Sequence, residues 1–312
     1  MVKTLVLYES KYGFTKEIAK DTAMVLAPSF CSHVCEFTKD IQNYNVIAIC
    51  TPVYNDLLPQ SIMDFISKNI NILRDKKVIL LCCCLEVDYG KVHLKPIREL
   101  LGNAVIWQEI IGTKIEINHL NSNDYNDLKK VCEKDEISFK DNNLFIREKF
   151  LERLLKISRV VEDDRVEIRK EEGMQYAEEF LENHNTCTLA TGYLKGVRAT
   201  PIEYTYMDSS MYLLSEGGQK FHYIMQNPNV SVTVYDSFTS FEELSGMQIQ
   251  GKAEFIEPST EEYNTIMKEK GVLEEILDND ITLNIIKVKI EKIEFDWSGF
   301  KRLGYSTKQI FL

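Results

Sequence analysis

The chain has 312 residues, enough for about two domains of ordinary size. Its 44% hydrophobic and 27% charged residues exclude a disordered chain, and a formal net charge of -11 excludes a surface built to neutralise a nucleic acid. A single phosphate stays compatible with an acidic chain, because backbone N–H groups can hold it without a basic surface.

The N-terminus, Met1-Val2-Lys3-Thr4-Leu5, runs directly into a strand-like segment and lacks the charged, apolar and small-residue blocks of a signal peptide. Val2–Tyr8 reads as a strand. A turn at Gly13 precedes a helical pattern through Ile18, Ala19, Ala23 and Leu26. His33–Phe37 reads as a weak strand, Val46–Thr51 as an apolar one, and Pro59–Leu73 as an amphipathic helix. Val78–Leu85, eight residues, is the longest apolar run and too short to span a membrane. A helix at Leu94–Leu101 and a strand at Ala104–Ile111 follow. Apolar strands separated by helices predict a doubly wound α/β parallel sheet covered on both faces. A helix over Leu144–Val161, with Phe150, Leu151, Leu154, Leu155 and Ile157 on one face, is expected to dock on that sheet.

The charged run from Glu162 to Glu172 reads as a solvated linker. The expected organisation is a first domain over 1–160, a linker over 161–172 and a second domain over 173–312. A helix at Met174–Asn183 opens the second domain. Short strands follow at Thr186–Thr191, Thr200–Tyr206, Ser210–Ser215, Val230–Tyr235, Met247–Phe255 and Leu283–Asp296, with helices at Phe221–Gln226 and Glu261–Leu277. That spacing predicts a small antiparallel barrel.

The eight cysteines contain no C-x-x-C pair, and the five histidines show no metal-ligand spacing. No metal site is expected, and the thiols are read as reduced packing groups in a cytoplasmic protein. Consecutive strand residues face opposite sides, so within Cys82-Cys83-Cys84 only Cys84, at the strand end, stands where a ligand could reach it.

Three loops in the first half sit at the carboxyl ends of strands, where open α/β sheets bind ligands. Ser10-Lys11-Tyr12-Gly13-Phe14-Thr15 places two hydroxyls around a glycine turn at a helix N-terminus. The same six residues also suit an ordinary strand–helix turn. It is neither a P-loop nor a dinucleotide fingerprint. Thr51-Pro52-Val53-Tyr54-Asn55-Asp56 and Cys84-Leu85-Glu86-Val87-Asp88-Tyr89-Gly90 each bring a tyrosine able to stack on a flat ring. A phosphate at one end and an aromatic system at the other would suit this set. Glu86 and Asp88 read as solvated loop acids.

In the second half, Gly196-Val197-Arg198-Ala199-Thr200-Pro201 opens a strand and Ser215-Glu216-Gly217-Gly218-Gln219-Lys220 opens a helix. Arg198 offers a planar fork to a phosphate, and Ser215 and Lys220 bracket a Gly-Gly turn at a helix N-terminus. His222, two residues past Lys220, reads as a partly exposed helix residue with a conceivable proton-transfer role.

The pattern Tyr8-x-Ser10-Lys11-Tyr12-Gly13-x-Thr15-x-x-Ile18-Ala19, with Thr51-Pro52-Val53-Tyr54, resembles flavodoxin. The resemblance implies FMN, with its phosphate on Ser10, Tyr12, Gly13 and Thr15 and its ring system between the loops of Thr51, Tyr54, Asn55 and Tyr89. Asn55 stands where many flavodoxins have glycine. Residues 173–300 resemble the FMN-binding split barrels related to pyridoxamine 5'-phosphate oxidase, through Phe180-Leu181, Leu189-Ala190-Thr191, Arg198, Ser215 to Lys220, Asn227-Pro228-x-Val230 and Gly251. That resemblance implies a split β-barrel, FMN contacts at Arg198, Thr200, Ser215, Lys220 and Gln248, and a homodimer through the barrel. The tail Phe300-Lys301-Arg302-Leu303-Gly304-Tyr305 lacks the Arg-x-His pattern of the true oxidase, which argues against a role in making pyridoxal phosphate.

Together these readings imply an FMN-dependent oxidoreductase with one or two FMN per chain. It would pass electrons between a donor and a small-molecule substrate. The alternative is a non-catalytic electron carrier or redox sensor acting on a redox partner protein. No nucleic acid and no membrane is expected as partner.

Overall fold

Strand-forming apolar runs set the first half of the computed structural model, which describes residues 2–85, 87, 90–134, 138–162, 165–258, 260–271 and 283–312. The chain divides into two compact units, Met1–Asp164 and Arg165–Leu312.

In the first unit the order is β1 (Thr4–Tyr8), α1 (Phe14–Val25), β2 (Ser29–His33), β3 (Val46–Pro52), α2 (Gln60–Lys68), α3 (Ile70–Arg74), β4 (Lys77–Cys84), α4 (Gly90–Leu101) and β5 (Val105–Gly112). Next come β6 (Lys114–Ile115), α5 (Ser122–Lys134), β7 (Asn142–Asn143) and α6 (Arg147–Glu162). The five long strands form a parallel sheet in the order β2-β1-β3-β4-β5. Strand alternation divides their side chains into two layers. Leu5, Leu7, Ile47, Ile49, Leu80 and Cys82 pack against Ile62, Ile66, Leu94 and Ile97. Val6, Ala48, Ile79, Leu81 and Cys83 pack against Ile18 and Ala19 on one helix and Phe150, Leu154 and Ile157 on another. Helix α6 therefore docks on the sheet. Its Arg147 reaches Asp21 at 2.8 Å and Glu17 at 3.1 Å on α1.

In this unit three element readings change most. The second strand is Ser29–His33, in parallel register with β1 from Thr4↔Ser29 to Tyr8↔His33, and Val34–Glu36 is a 3₁₀ turn. Val34 and Phe37 looked like strand residues because they are apolar, but they pack into the core from the turn. The helix expected over Pro59–Leu73 breaks at Asn69, whose side-chain amide donates to Phe65 O at 2.8 Å and competes with the helical ladder. Helix α4 begins at Gly90, four residues before the expected start.

The second unit contains α7 (Lys170–Glu182), β8 (Thr186–Tyr193), β9 (Gly196–Glu203), β10 (Thr205–Met207), β11 (Ser210–Ser215), α8 (Gln219–Gln226) and β12 (Asn229–Tyr235). It continues with β13 (Ser245–Ile256), α9 (Glu261–Glu269), β14 (Asn284–Trp297), α10 (Ser298–Arg302) and β15 (Lys308–Phe311). The expected continuation of α9 to Leu277 lies outside the described residues. The strands form one antiparallel sheet, β10-β11-β14-β13-β12-β8-β9, curled into a half-barrel. One edge of β14 is shared: Asn284–Lys289 pairs with β11, and Ile293–Asp296 pairs with β15. That shared edge is what splits the barrel. A register shift at Gln250/Gly251 lets the long β13–β14 ribbon bend. The inner face carries Leu189, Met211, Leu213, Val232, Ile249, Ile286 and Val288, closed by Ala177 and Leu181 of α7. On the outer face, α9 covers Tyr212 and Ile285.

The stretch read as a solvated linker is attached over part of its length. Val166 N–H donates to Ser306 Oγ at 3.1 Å, Ile168 N–H donates to Gln309 Oε1 at 3.1 Å, and Ile168 is buried in the core of the second unit.

Candidate functional site

Each unit brings one group of the expected residues together.

In the first unit the loop after β1 turns at Gly13, which caps α1 with φ +88 and has open space where a Cβ would point. Gly13 N–H donates to Ser10 Oγ at 3.0 Å, and Lys11 N–H donates to the Tyr54 hydroxyl at 2.9 Å. Tyr54 begins a tight turn closed by reciprocal hydrogen bonds with Leu57, in which Asn55 (φ 49) and Asp56 (φ 61) are both left-handed. Asn and Asp are the non-glycine residues that accept this conformation most readily, so Asn55 fills its position without a glycine. Burial pushes the Tyr54 phenol up to about 12. Tyr12 and Tyr54 meet edge to face with ring centres 6.4 Å apart.

An unexpected group completes this loop. Asn121 caps α5 by accepting from Asp124 N–H at 2.9 Å, which sets Asp124 in the first helical turn. Asp124 then accepts from Lys11 Nζ at 2.6 Å and from the Tyr12 hydroxyl. Burial opposes its charge, but the hydrogen bonds from Lys11 and Tyr12 outweigh that and hold the carboxyl below its ordinary value. Helix α5 is mostly polar, and the short apolar row of Tyr125, Leu128 and Cys132 was the one signal that could have revealed it.

Thr15 and Thr51 do not join the open side of the loop. Thr15 is buried, with its hydroxyl beside Cys83. Thr51 is fully buried and donates to Pro52 O at 3.1 Å. Tyr89, Glu86 and Asp88 lie outside the described residues. Cys82, Cys83 and Cys84 are all buried, with Cys82 and Cys84 in one layer and Cys83 in the other. Burial pushes the Cys83 thiol up to about 12.

In the second unit the ladder fixes the faces. Thr200 pairs with Leu189, which pairs with Val232, which pairs with Ile249, so Thr200 and its i,i+2 neighbour Arg198 lie on the inner-face rows. Arg198 Nε donates to Thr200 Oγ1 at 3.2 Å and Nη1 to Gln219 Oε1 at 3.1 Å. Ser215 ends β11; its hydroxyl accepts from Gly217 N–H at 3.3 Å. Gly217 (φ 152) and Gly218 (φ 106) make the turn into α8, and Lys220 Nζ donates to Gly217 O at 2.7 Å. Burial and the neighbouring Arg198 charge push the Lys220 ammonium below its ordinary value, with Glu216 opposing. Neither Arg198 nor Lys220 forms an ion pair among the described residues. Thr191, directly opposite Arg198, is 4% exposed, and its hydroxyl has no hydrogen-bond partner among the described residues.

Gly196 explains how α8 comes so close: a Cβ there would lie 2.5 Å from the Tyr223 hydroxyl. Asn227 anchors the other end of the helix by donating to Gly192 O at 3.0 Å. Gln248 does not belong to this group. It pairs with Thr233, which pairs with Thr188, the rows of the opposite sheet face. His222 is exposed, and its ring neighbours are Tyr193 and Tyr223.

FMN can be tested against both groups by its phosphate. The second group fits: two close cations with no ion pair among the described residues, a hydroxyl-bearing turn at a helix N-terminus and a buried hydroxyl without a partner there suit an anion. The first group offers suitable donors from Lys11, Tyr12 and Gly13, but Asp124 holds two of them. Thr191, Gln219 and Asp124 escaped sequence reading. Thr191 carried a weak signal, since it stood within the Leu189-Ala190-Thr191 match.

Residues 5–109 match the family model for a flavodoxin domain, and residues 174–296 match that for pyridoxamine 5'-phosphate oxidase. These matches support a flavin-binding, redox-related function. No curated protein matches the chain. Among solved structures, an FAD-binding protein from Mesorhizobium loti is 20% identical, covering 38% of this chain and 90% of its own, with a TM-score of 0.32. General stress protein 26 from Bacillus anthracis is 16% identical, covering 39% and 91%, with a TM-score of 0.31. A heme storage protein from Vibrio cholerae is 18% identical, covering 40% and 92%, with a TM-score of 0.33. No helix among the described residues is long and apolar enough to cross a membrane.

Proposed function

Because the chain carries a flavodoxin domain followed by a domain of the pyridoxamine 5'-phosphate oxidase family, we propose that it is an FMN-dependent oxidoreductase whose principal flavin site is on the split barrel. The observation that carries this reading is the approach of Arg198 and Lys220 at the Gly217-Gly218 turn with no ion pair to either among the described residues. Two like charges held together are costly unless an anion joins them. Arg198, Lys220 and the turn would hold the phosphate, with Thr200, Ser215 and the Thr191 hydroxyl as further partners. Bound flavin supplies hydride or electron exchange with a small organic substrate, while the protein supplies binding and electrostatics.

In this proposal the first unit exchanges electrons with a donor, and its loop takes a flavin phosphate in competition with Asp124. A homodimer through the barrel belongs to the same reading. Gln248, on the sheet face opposite Arg198, would then serve the flavin of the second copy. Light scattering tests the dimer, and a monomer would remove that role for Gln248.

The decisive experiment is flavin content per chain, by absorbance after denaturation. Arg198→Ala with Lys220→Ala should lose the barrel equivalent, and a double variant keeping all of its flavin would refute the site. Turnover of a small acceptor with reduced nicotinamide supports the enzyme. Reduction by a partner protein alone would replace it with the carrier.

A further inference from the structure

We infer that Glu9, His33 and Cys35 form a binding site for a borderline-soft divalent cation, for which zinc is the probe. Among the described residues this is the one group of three metal-ligating side chains whose donor atoms lie within 4.8 Å of one another. The sheet creates it. Glu9 follows β1, His33 ends β2, and the parallel register sets Tyr8 against His33, so the two chain ends leave the sheet side by side. The 3₁₀ turn after β2 then returns Cys35 to the same place.

Two of the three ligands, Glu9 and His33, are already oriented by partners. Glu9 Oε2 accepts from the Ser61 hydroxyl at 2.9 Å, and Oε1 accepts from Ser10 N–H at 3.1 Å. The His33 ring packs edge-on against Tyr8 with centres 5.5 Å apart, and its Nε2 lies 3.1 Å from Glu9 Oε1. Supporting contacts of this kind are what fix metal ligands. Cys35 is exposed, so the third ligand stands on the solvent side and leaves room for water as a fourth. The chemistry selects the ion. One sulfur, one imidazole nitrogen and one carboxylate oxygen suit Zn²⁺ and disfavour the hard ions Mg²⁺ and Ca²⁺.

The exchange balances without redox. The cation takes the place of the proton between Nε2 and Glu9. That proton moves to Nδ1, whose 3.2 Å contact from Cys35 N–H opens. The Cys35 thiol loses its proton to solvent. One proton leaves per metal, and thiolate plus carboxylate neutralise the two positive charges.

The test uses the reduced, chelator-stripped full chain. Zinc is titrated against a chromophoric chelator, and Cys35 alkylation by iodoacetamide is followed by mass spectrometry. Cys35 is the one exposed cysteine, so its labelling is separable from the rest. One equivalent of zinc should bind, Cys35 alkylation should slow by about tenfold or more, and a chelator should restore it. Cys35→Ser, a near-isosteric change at an exposed position, and His33→Ala should each weaken zinc binding by about tenfold or more. Unchanged zinc affinity in a folded Cys35→Ser variant, or Cys35 alkylation indifferent to zinc, would overturn the site. Flavin content is read in the same samples, so this outcome is independent of the flavin assignment.

Discussion

Arg198 and Lys220 repel one another, and that repulsion is what gives the barrel site a pH signature. Burial and Arg198 lower the Lys220 pKa from its ordinary 10.5, and a bound phosphate would raise it again. The bound form therefore holds the proton more tightly than the free form, so flavin affinity should fall as pH rises through the lowered Lys220 pKa. Titrating flavin from neutral to alkaline pH measures this, and Lys220→Ala should flatten the decline. A second residue-scale expectation concerns Arg147, whose guanidinium hydrogen-bonds Oδ1 of the buried Asp21 carboxylate and pairs with its charge. Arg147→Ala should cost about 1–3 kcal/mol, read from the denaturant midpoint. The candidate turns were partly legible at this scale from spacing alone. Ser10 meets Gly13 at the first turn, and Ser215 and Lys220 meet Gly217 at the second. Thr15 and Thr51 are buried, because a motif records residue type and separation while strand phase decides whether a hydroxyl faces the loop or the core.

At the scale of elements, the bend in the β13–β14 ribbon depends on Gly251. A Cβ there would lie 2.4 Å from Lys289 O, a backbone atom that cannot step aside. Gly251→Ala should destabilise the second unit by about 1–3 kcal/mol, seen as a lower midpoint for that unit with the first unit unchanged. Buried elements were the readable ones. The runs around Ile47, Ile79 and Leu213 announce strands because burial on both faces demands apolar residues throughout. The edge strand Ser29–His33 is only partly buried, so its pattern is weak and the adjacent Val34 and Phe37 drew the boundary too late. Helix α5, mostly polar with a short apolar row, brings Asp124 to the first loop.

For the whole molecule, the two units carry separate cores, and the attachment of residues 165–169 belongs to the second. A fragment of residues 165–312 should melt cooperatively. One beginning at 173 loses Ile168 from the core, worth about 1.5–3 kcal/mol, and should melt at lower temperature by circular dichroism. The sequence by itself determined the α/β and antiparallel classes, the order of most strands and helices, and the two glycine turns at helix starts. These are local matters, written in hydrophobic period, glycine placement and helix starts. Tertiary structure decided which hydroxyls reach each turn, that Gln248 lies on the other sheet face, that Asp124 sits on the first loop, and that Glu9, His33 and Cys35 converge. Those facts depend on strand register and on segments far apart in the chain. No local pattern encodes a contact whose partners are brought together only by folding.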